Sequence, residues 1–226
     1  MSLPPIYLFA DSQLLFWNCN GALFLQSVRQ HLSGPAPTAA YIGASNGDAP
    51  EAYAIFVEAM RGIGIQDFQM IHSAFPAEDE AFLRKADLIV LAGGDVELGW
   101  RTFTQTAMKE RILERLSEGA VIIGVSAGAM QLGRYGLVEK SAASVELIDA
   151  FQQVPFIVSA HDESHNWEAL QRTIELLEGS ANGVGIPTGG GLIYHADQTL
   201  EAIRHPVYEF VVRDGKVKQS LIIQPQ

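Results

Sequence analysis

The chain is short of positive charge. It carries 15 Lys and Arg against 26 Asp and Glu, a formal net charge of −11. Proteins that bind nucleic acid present a basic face to a polyanion, so this balance excludes that class and gives no pull toward an anionic membrane. Cysteine is nearly absent. Cys19 stands alone, so no internal disulfide can form, and a reducing compartment, the cytoplasm, is the expected location. Long apolar runs are missing too. None approaches the roughly 20 residues that a bilayer-spanning helix needs. The N-terminus has neither the basic region nor the apolar stretch of a secretory leader. No repeat, low-complexity tract or linker interrupts the 226 residues, so one domain over 1–226 is expected, with a hydrophobic content of 48% to fill its core.

What is present alternates. Short apolar stretches at 6–10, 38–44, 67–72, 86–92, 121–125 and 155–160 read as strands. Between them, 20–32, 51–61, 78–85, 102–118, a stretch from 127 and 166–177 have helical spacing. Two further strands are expected at 183–186 and 191–194, then a hairpin over 208–223 that turns at Asp214-Gly215. The pattern is α/β: a three-layer, doubly wound, mostly parallel sheet with helices on both faces and an antiparallel C-terminal margin.

One stretch stands out. The β-branched run Val121 to Val125 ends in Gly124-Val125-Ser126-Ala127-Gly128 and leads into a helix. This is the form of a nucleophile elbow, in which a hydroxyl sits in a strained turn flanked by residues with almost no side chain. The plain alternative is an ordinary glycine-containing turn from strand to helix.

In open α/β sheets, ligands bind at the carboxyl ends of the strands. Those ends carry Asp11, Asp48, Gly93-Gly94-Asp95, Ser126 and His161. Glycines at 93 and 94 permit close backbone approach, and the N–H groups of Gly94 and Ala127 would form a two-donor oxyanion hole. Gly93, Asp95 and Asp11 are candidates for contact with substrate. A phosphate loop is disfavoured, because the Walker pattern is absent and Asp95 would repel phosphate.

A serine nucleophile needs a base at neutral pH. Of the six histidines, His161 is best placed, directly after an apolar strand. His165 is the second candidate, for base or for substrate contact. An acid must orient the imidazole, and spacing leaves Glu139, Glu146, Asp149, Asp162 and Glu163 open. The pair His161 and His165 does not form the H-E-x-x-H zinc motif, so neither a metal nor another cofactor is expected.

Three segments, Leu88-Ile-Val-Leu-Ala-Gly-Gly-Asp95, Ile123-Gly-Val-Ser-Ala-Gly-Ala129 and Phe156-Ile-Val-Ser-Ala-His161, with a later Gly185-Ile-Pro187, resemble the dipeptidase E and cyanophycinase serine peptidases. The resemblance implies a fold similar to class I glutamine amidotransferases, with Ser126 as nucleophile, His161 as base, Gly94 and Ala127 as oxyanion donors and Glu139 as the triad acid. The segment His165-Asn-Trp-Glu-Ala-Leu-Gln-Arg172 departs from both branches. Leu170 stands where dipeptidase E has arginine, and the early arginines of cyanophycinases are missing. Catalysis therefore carries over better than specificity.

The expected activity is hydrolysis of an amide bond in a small peptide through an acyl-enzyme on Ser126. The expected partner is that peptide, with a homodimer admissible. Acidic loops suggest a substrate with a free amino group or a basic side chain. Two alternatives remain: an α/β-hydrolase-type esterase, which normally has its histidine nearer the C-terminus, and a ligand-binding domain without turnover.

Overall fold

The structure is a computed structural model and describes residues 3–32, 34–141 and 144–223; the side chains of 139–145 lie outside the described residues. In chain order the strands are β1 (Ile6–Phe9), β2 (Asn18–Cys19), β3 (Ala22–Leu23), β4 (Thr38–Ile42), β5 (Asp67–Ile71), β6 (Leu88–Leu91), β7 (Val121–Val125), β8 (Tyr135–Ser141), β9 (Ser144–Asp149), β10 (Ile157–Ala160), β11 (Gly183–Ile186), β12 (Gly191–Tyr194), β13 (Leu200–Ile203), β14 (Val207–Arg213) and β15 (Lys216–Ile222). The α-helices are α1 (Leu25–Arg29), α2 (Pro50–Gly62), α3 (Ala77–Leu83), α4 (Val96–Gln105), α5 (Met108–Ser117), α6 (Ala127–Leu132) and α7 (Glu168–Leu176).

The main sheet has seven strands in the order β13-β12-β1-β7-β6-β4-β5. Five consecutive strands, β1-β7-β6-β4-β5, are mutually parallel and reach one edge, while at the other margin β12 pairs antiparallel with β1 and β13 antiparallel with β12. Alternation along each strand separates two cores. Leu8, Ile42, Leu91 and Ile122 face the side that contains Phe82, Trp100, Ile112 and Ala129 of α3 to α6. Phe9, Tyr41, Val90 and Ile123 face the side of Leu25 and Val28 of α1 and Phe56 and Met60 of α2. Strands buried on both faces read as unbroken apolar runs, which is why 86–92 and 121–125 are so conspicuous.

The C-terminal strands do more than extend this sheet. A second sheet of four strands, β10-β11-β14-β15, carries β10 away from the main one. A third core of Ile157, Trp167, Leu170, Ile174 and Phe210 fixes α7 to it. Val158, Val184 and Ile186 of this second sheet join Leu8, Leu91 and Ala129 in one apolar cluster, so the two sheets share a core.

Local differences from the sequence expectation have local causes. The start of the expected helix 20–32 is a hairpin, β2 with β3, turning at Asn20 and Gly21 with φ of 55° and 85°. Adjacent positive φ values suit Asn-Gly and interrupt a helix. The expected helix 102–118 is two helices, because Thr106 is extended at φ −120° and ψ 173°. The stretch after α6 forms the hairpin β8–β9 instead of continuing as a helix.

Candidate active site

Ser126 occupies the tip between β7 and α6, with φ 50° and ψ −110°. A positive φ is costly for a residue with a side chain and persists only where the surroundings enforce it. Here Ser126 N donates to Phe9 O at 2.8 Å and Met130 N to Ser126 O at 3.0 Å. The turn also needs Gly124: a Cβ there would lie 2.6 Å from Ala129 N and from the Gly128 carbonyl. The first N–H groups of α6, starting at Ala127, have no intrahelical acceptor.

His161 directly follows β10 of the second sheet, also at a positive φ of 47°. Its own N–H donates to Ile186 O at 2.9 Å, which extends the β10–β11 pairing by one residue. Ser126 Oγ and His161 Nε2 are 2.7 Å apart, 35 residues distant in sequence. Helix α6 packs against both β7 and β10, so the element that begins at the serine also sets the distance to the histidine.

Gly93 and Gly94 follow β6 on the other side of Ser126. A Cβ on Gly93 would be 3.3 Å from Ser126 Cβ. Gly94 has φ 135°, and a Cβ on it would fall 2.1 Å from Ser45 O. Only glycine fits this backbone. The loop after β4 is bound to this one, since Asp95 N donates to Ser45 O at 2.7 Å. Behind both lies Gln131 of α6, fully buried. Its Nε2 is 2.9 Å from Val96 O and 3.1 Å from Ser45 Oγ. Sequence reasoning missed this residue. Its signal is an amide in a helix whose other residues are Ala, Gly, Met and Leu.

A cavity of about 290 Å³ opens beside Ser126, and its lining includes Asp11, Ser12, Asn46, Gly93, Ser126 and His161. Of the candidate substrate contacts, Gly93 and Asp11 reach it. Asp95 instead caps α4, its Oδ1 accepting from Leu98 N at 2.7 Å. His165 also stands apart: its exposed ring bonds Asp162 Oδ1 through Nδ1 at 2.9 Å and does not line the cavity. Cys19 sits half-buried in β2.

The acids around the site have identifiable tasks. Asp48 accepts from the backbone and hydroxyl of Ser73 at 2.9 and 3.0 Å. Glu163 accepts from Thr188 N at 3.1 Å. Partial burial works to raise its pKa, but hydrogen bonds from Thr188 and the charge of His161 outweigh it and hold the carboxyl below its ordinary value. Glu146 and Asp149 are exposed on β9. The side chain of Glu139, on β8, lies outside the described residues. Among the described residues, no cluster of His, Cys, Asp and Glu suits a metal ion, and no helix is long and apolar enough to cross a membrane.

The family model for peptidase family S51 matches residues 21–202. A peptidase from an acI-B1 Actinobacterium superposes with a TM-score of 0.67 at 14% identity, over 97% of this chain and 94% of that one. A putative peptidase E protein from Listeria monocytogenes EGD-e gives 0.64 at 18% identity, over 90% of this chain and 100% of its own. At such identities the likeness speaks for the fold. No curated protein matches the chain.

Proposed function

Because this chain belongs to peptidase family S51, a family of serine-type peptidases, we propose that it hydrolyses the amide bond of a small peptide through an acyl-enzyme on Ser126. The observation that carries this reading is the 2.7 Å contact between Ser126 Oγ and His161 Nε2, with the serine raised on a strained turn.

In the proposed mechanism Ser126 Oγ attacks the scissile carbonyl carbon while its proton passes to His161 Nε2. The oxyanion that forms is held by the backbone N–H groups of Gly94 and Ala127. His161 then gives the proton to the leaving nitrogen as the C–N bond breaks. A water that loses its proton to His161 attacks the acyl ester and frees Ser126. Glu139 is the proposed third member, on a strand, β8, that packs beside the β10 strand leading to His161.

Intact-mass measurement after treatment with a fluorophosphonate tests the nucleophile. One adduct on the wild type and none on Ser126→Ala is the expected result. Hydrolysis of dipeptides by wild type but not by Ser126→Ala completes it. Equal dipeptidase activity in the two proteins would remove Ser126 from the mechanism.

A further inference from the structure

The cavity beside Ser126 is built for an uncharged side chain. Its walls are Leu15, Ala52, Ile55, Phe56, Val90 and Val125. Its polar groups largely satisfy one another. Asn46 Nδ2 donates to Tyr41 Oη at 2.9 Å, and Asn46 Oδ1 accepts from Ala49 N at 3.1 Å. Burial raises the Tyr41 pKa, and the nearby Asp48 charge adds to that despite the opposing bond from Asn46, so the phenol stays neutral. Among the described residues, no Lys or Arg lines this space. Arg204 bonds Gln13 Oε1 at 3.3 Å and is not part of the lining. An acidic side chain placed here would lose its hydration without gaining a cation, and it would meet the field of Asp48.

One carboxylate does line the cavity, that of Asp11. Its oxygens accept from Gln13 N at 2.8 Å, Gln13 Nε2 at 3.3 Å and Gly189 N at 2.6 Å, which fixes the group in position and uses three of its acceptor sites. An ionised carboxylate accepts at about four lone-pair sites, so capacity for a substrate ammonium remains. In a dipeptide, the residue that bears the ammonium is also the residue whose carbonyl is attacked.

We infer that the preferred substrate is a short peptide with a free amino terminus and an aliphatic or aromatic first residue, its ammonium on Asp11 and its side chain in the cavity. The inference rests on the proposed role of Ser126. It replaces the broader expectation from acidic loops, since of Asp11, Asp48, Asp95, Asp162 and Glu163 only Asp11 lines the cavity.

The test is a comparison of kcat/KM for Leu-Ala, Phe-Ala, Asp-Ala, Lys-Ala and N-acetyl-Leu-Ala, with fluorophosphonate labelling of Ser126 in parallel. Leu-Ala and Phe-Ala are expected to exceed Asp-Ala and Lys-Ala by about tenfold or more, the scale on which apolar pockets discriminate, and acetylation is expected to cost a similar factor. Ile55 is exposed at 43%, so Ile55→Lys tolerates the change in the fold and is expected to raise Asp-Ala relative to Leu-Ala. Ala52→Trp is expected to raise KM for Phe-Ala. Equal or better turnover of Asp-Ala or Lys-Ala by the wild type overturns the inference, as does indifference to acetylation or unchanged ratios in both variants. Labelling of Ser126 without turnover of any free dipeptide overturns the substrate class and leaves the nucleophile standing. Absence of both labelling and turnover removes the reading on which it rests.

Discussion

Gln131 Nε2 lies 3.1 Å from Ser45 Oγ and 2.9 Å from Val96 O, so one buried amide joins the helix after Ser126 to the loop after β4 and to the start of α4, which flank Gly94. Its side chain bonds Ser45 and Val96, not Ser126 or His161, so the role we propose for it is positioning. Gln131→Leu leaves Val96 O and Ser45 Oγ without this donor and is expected to destabilise the fold by about 1–3 kcal/mol. It is also expected to lower kcat about tenfold to a hundredfold with little change in KM, since small displacements of catalytic groups cost on that order. Steady-state kinetics with thermal unfolding separates the two effects. A lower melting temperature with unchanged kcat would reduce Gln131 to a scaffold residue.

The Gly94 backbone makes a sharper prediction. Gly94→Ala introduces a Cβ 2.1 Å from Ser45 O at a φ of 135°, so the loop must move and its N–H with it. Loss of one oxyanion donor costs about 10²–10³ in kcat, and that range is expected here, with a slower rate of fluorophosphonate labelling. Gly93→Ala meets Ser126 Cβ at 3.3 Å and is expected to cost less. Kinetics of both variants, alongside circular dichroism to verify folding, checks the order.

Glu163 gives a dependence on pH. Its carboxyl is held below the ordinary value of 4.5 in the folded chain. A group depressed in this way adds stability above its unfolded pKa and loses it as the pH falls through the folded value. Glu163 is exposed, so solvent screens the effect, and Glu163→Gln is therefore expected to lower the melting temperature at neutral pH only slightly, by about 1 °C. Below the folded pKa the wild type and the variant are expected to converge. Melting curves from about pH 3 to about pH 7, a span around the ordinary carboxyl value, check this.

The parts of the fold legible in sequence are those with one dominant signal. Strands at 183–186 and 191–194 coincide with β11 and β12, since each is a short apolar stretch bounded by turn residues. Ser126 and His161, which the structure brings within 2.7 Å, stand out in sequence because each puts a polar group directly after a buried strand. The hairpin at Asn18 to Leu23 carried the Asn-Gly turn signal, yet the apolar spacing of the following residues favoured a helix. The assignment of β10 to a separate sheet left no trace in periodicity, which reports burial and not strand partners. Gln131 was illegible for a related reason: a lone amide on a short helix reads as a solvent-facing residue until the loops that cover it are known.

The serine stands on the seven-stranded sheet and the histidine on the four-stranded one, joined through α6 and a shared core. Their 2.7 Å separation is thus a gauge of how the two halves seat against each other. If this contact is the proposed catalytic one, a slip of about 1 Å at that seam is enough to disable it while every strand keeps its own hydrogen bonds. Heating would then silence the enzyme before it melts, with activity lost at a lower temperature than secondary structure. The same arrangement lets either half accept changes on its outer faces, provided the seam keeps its fit.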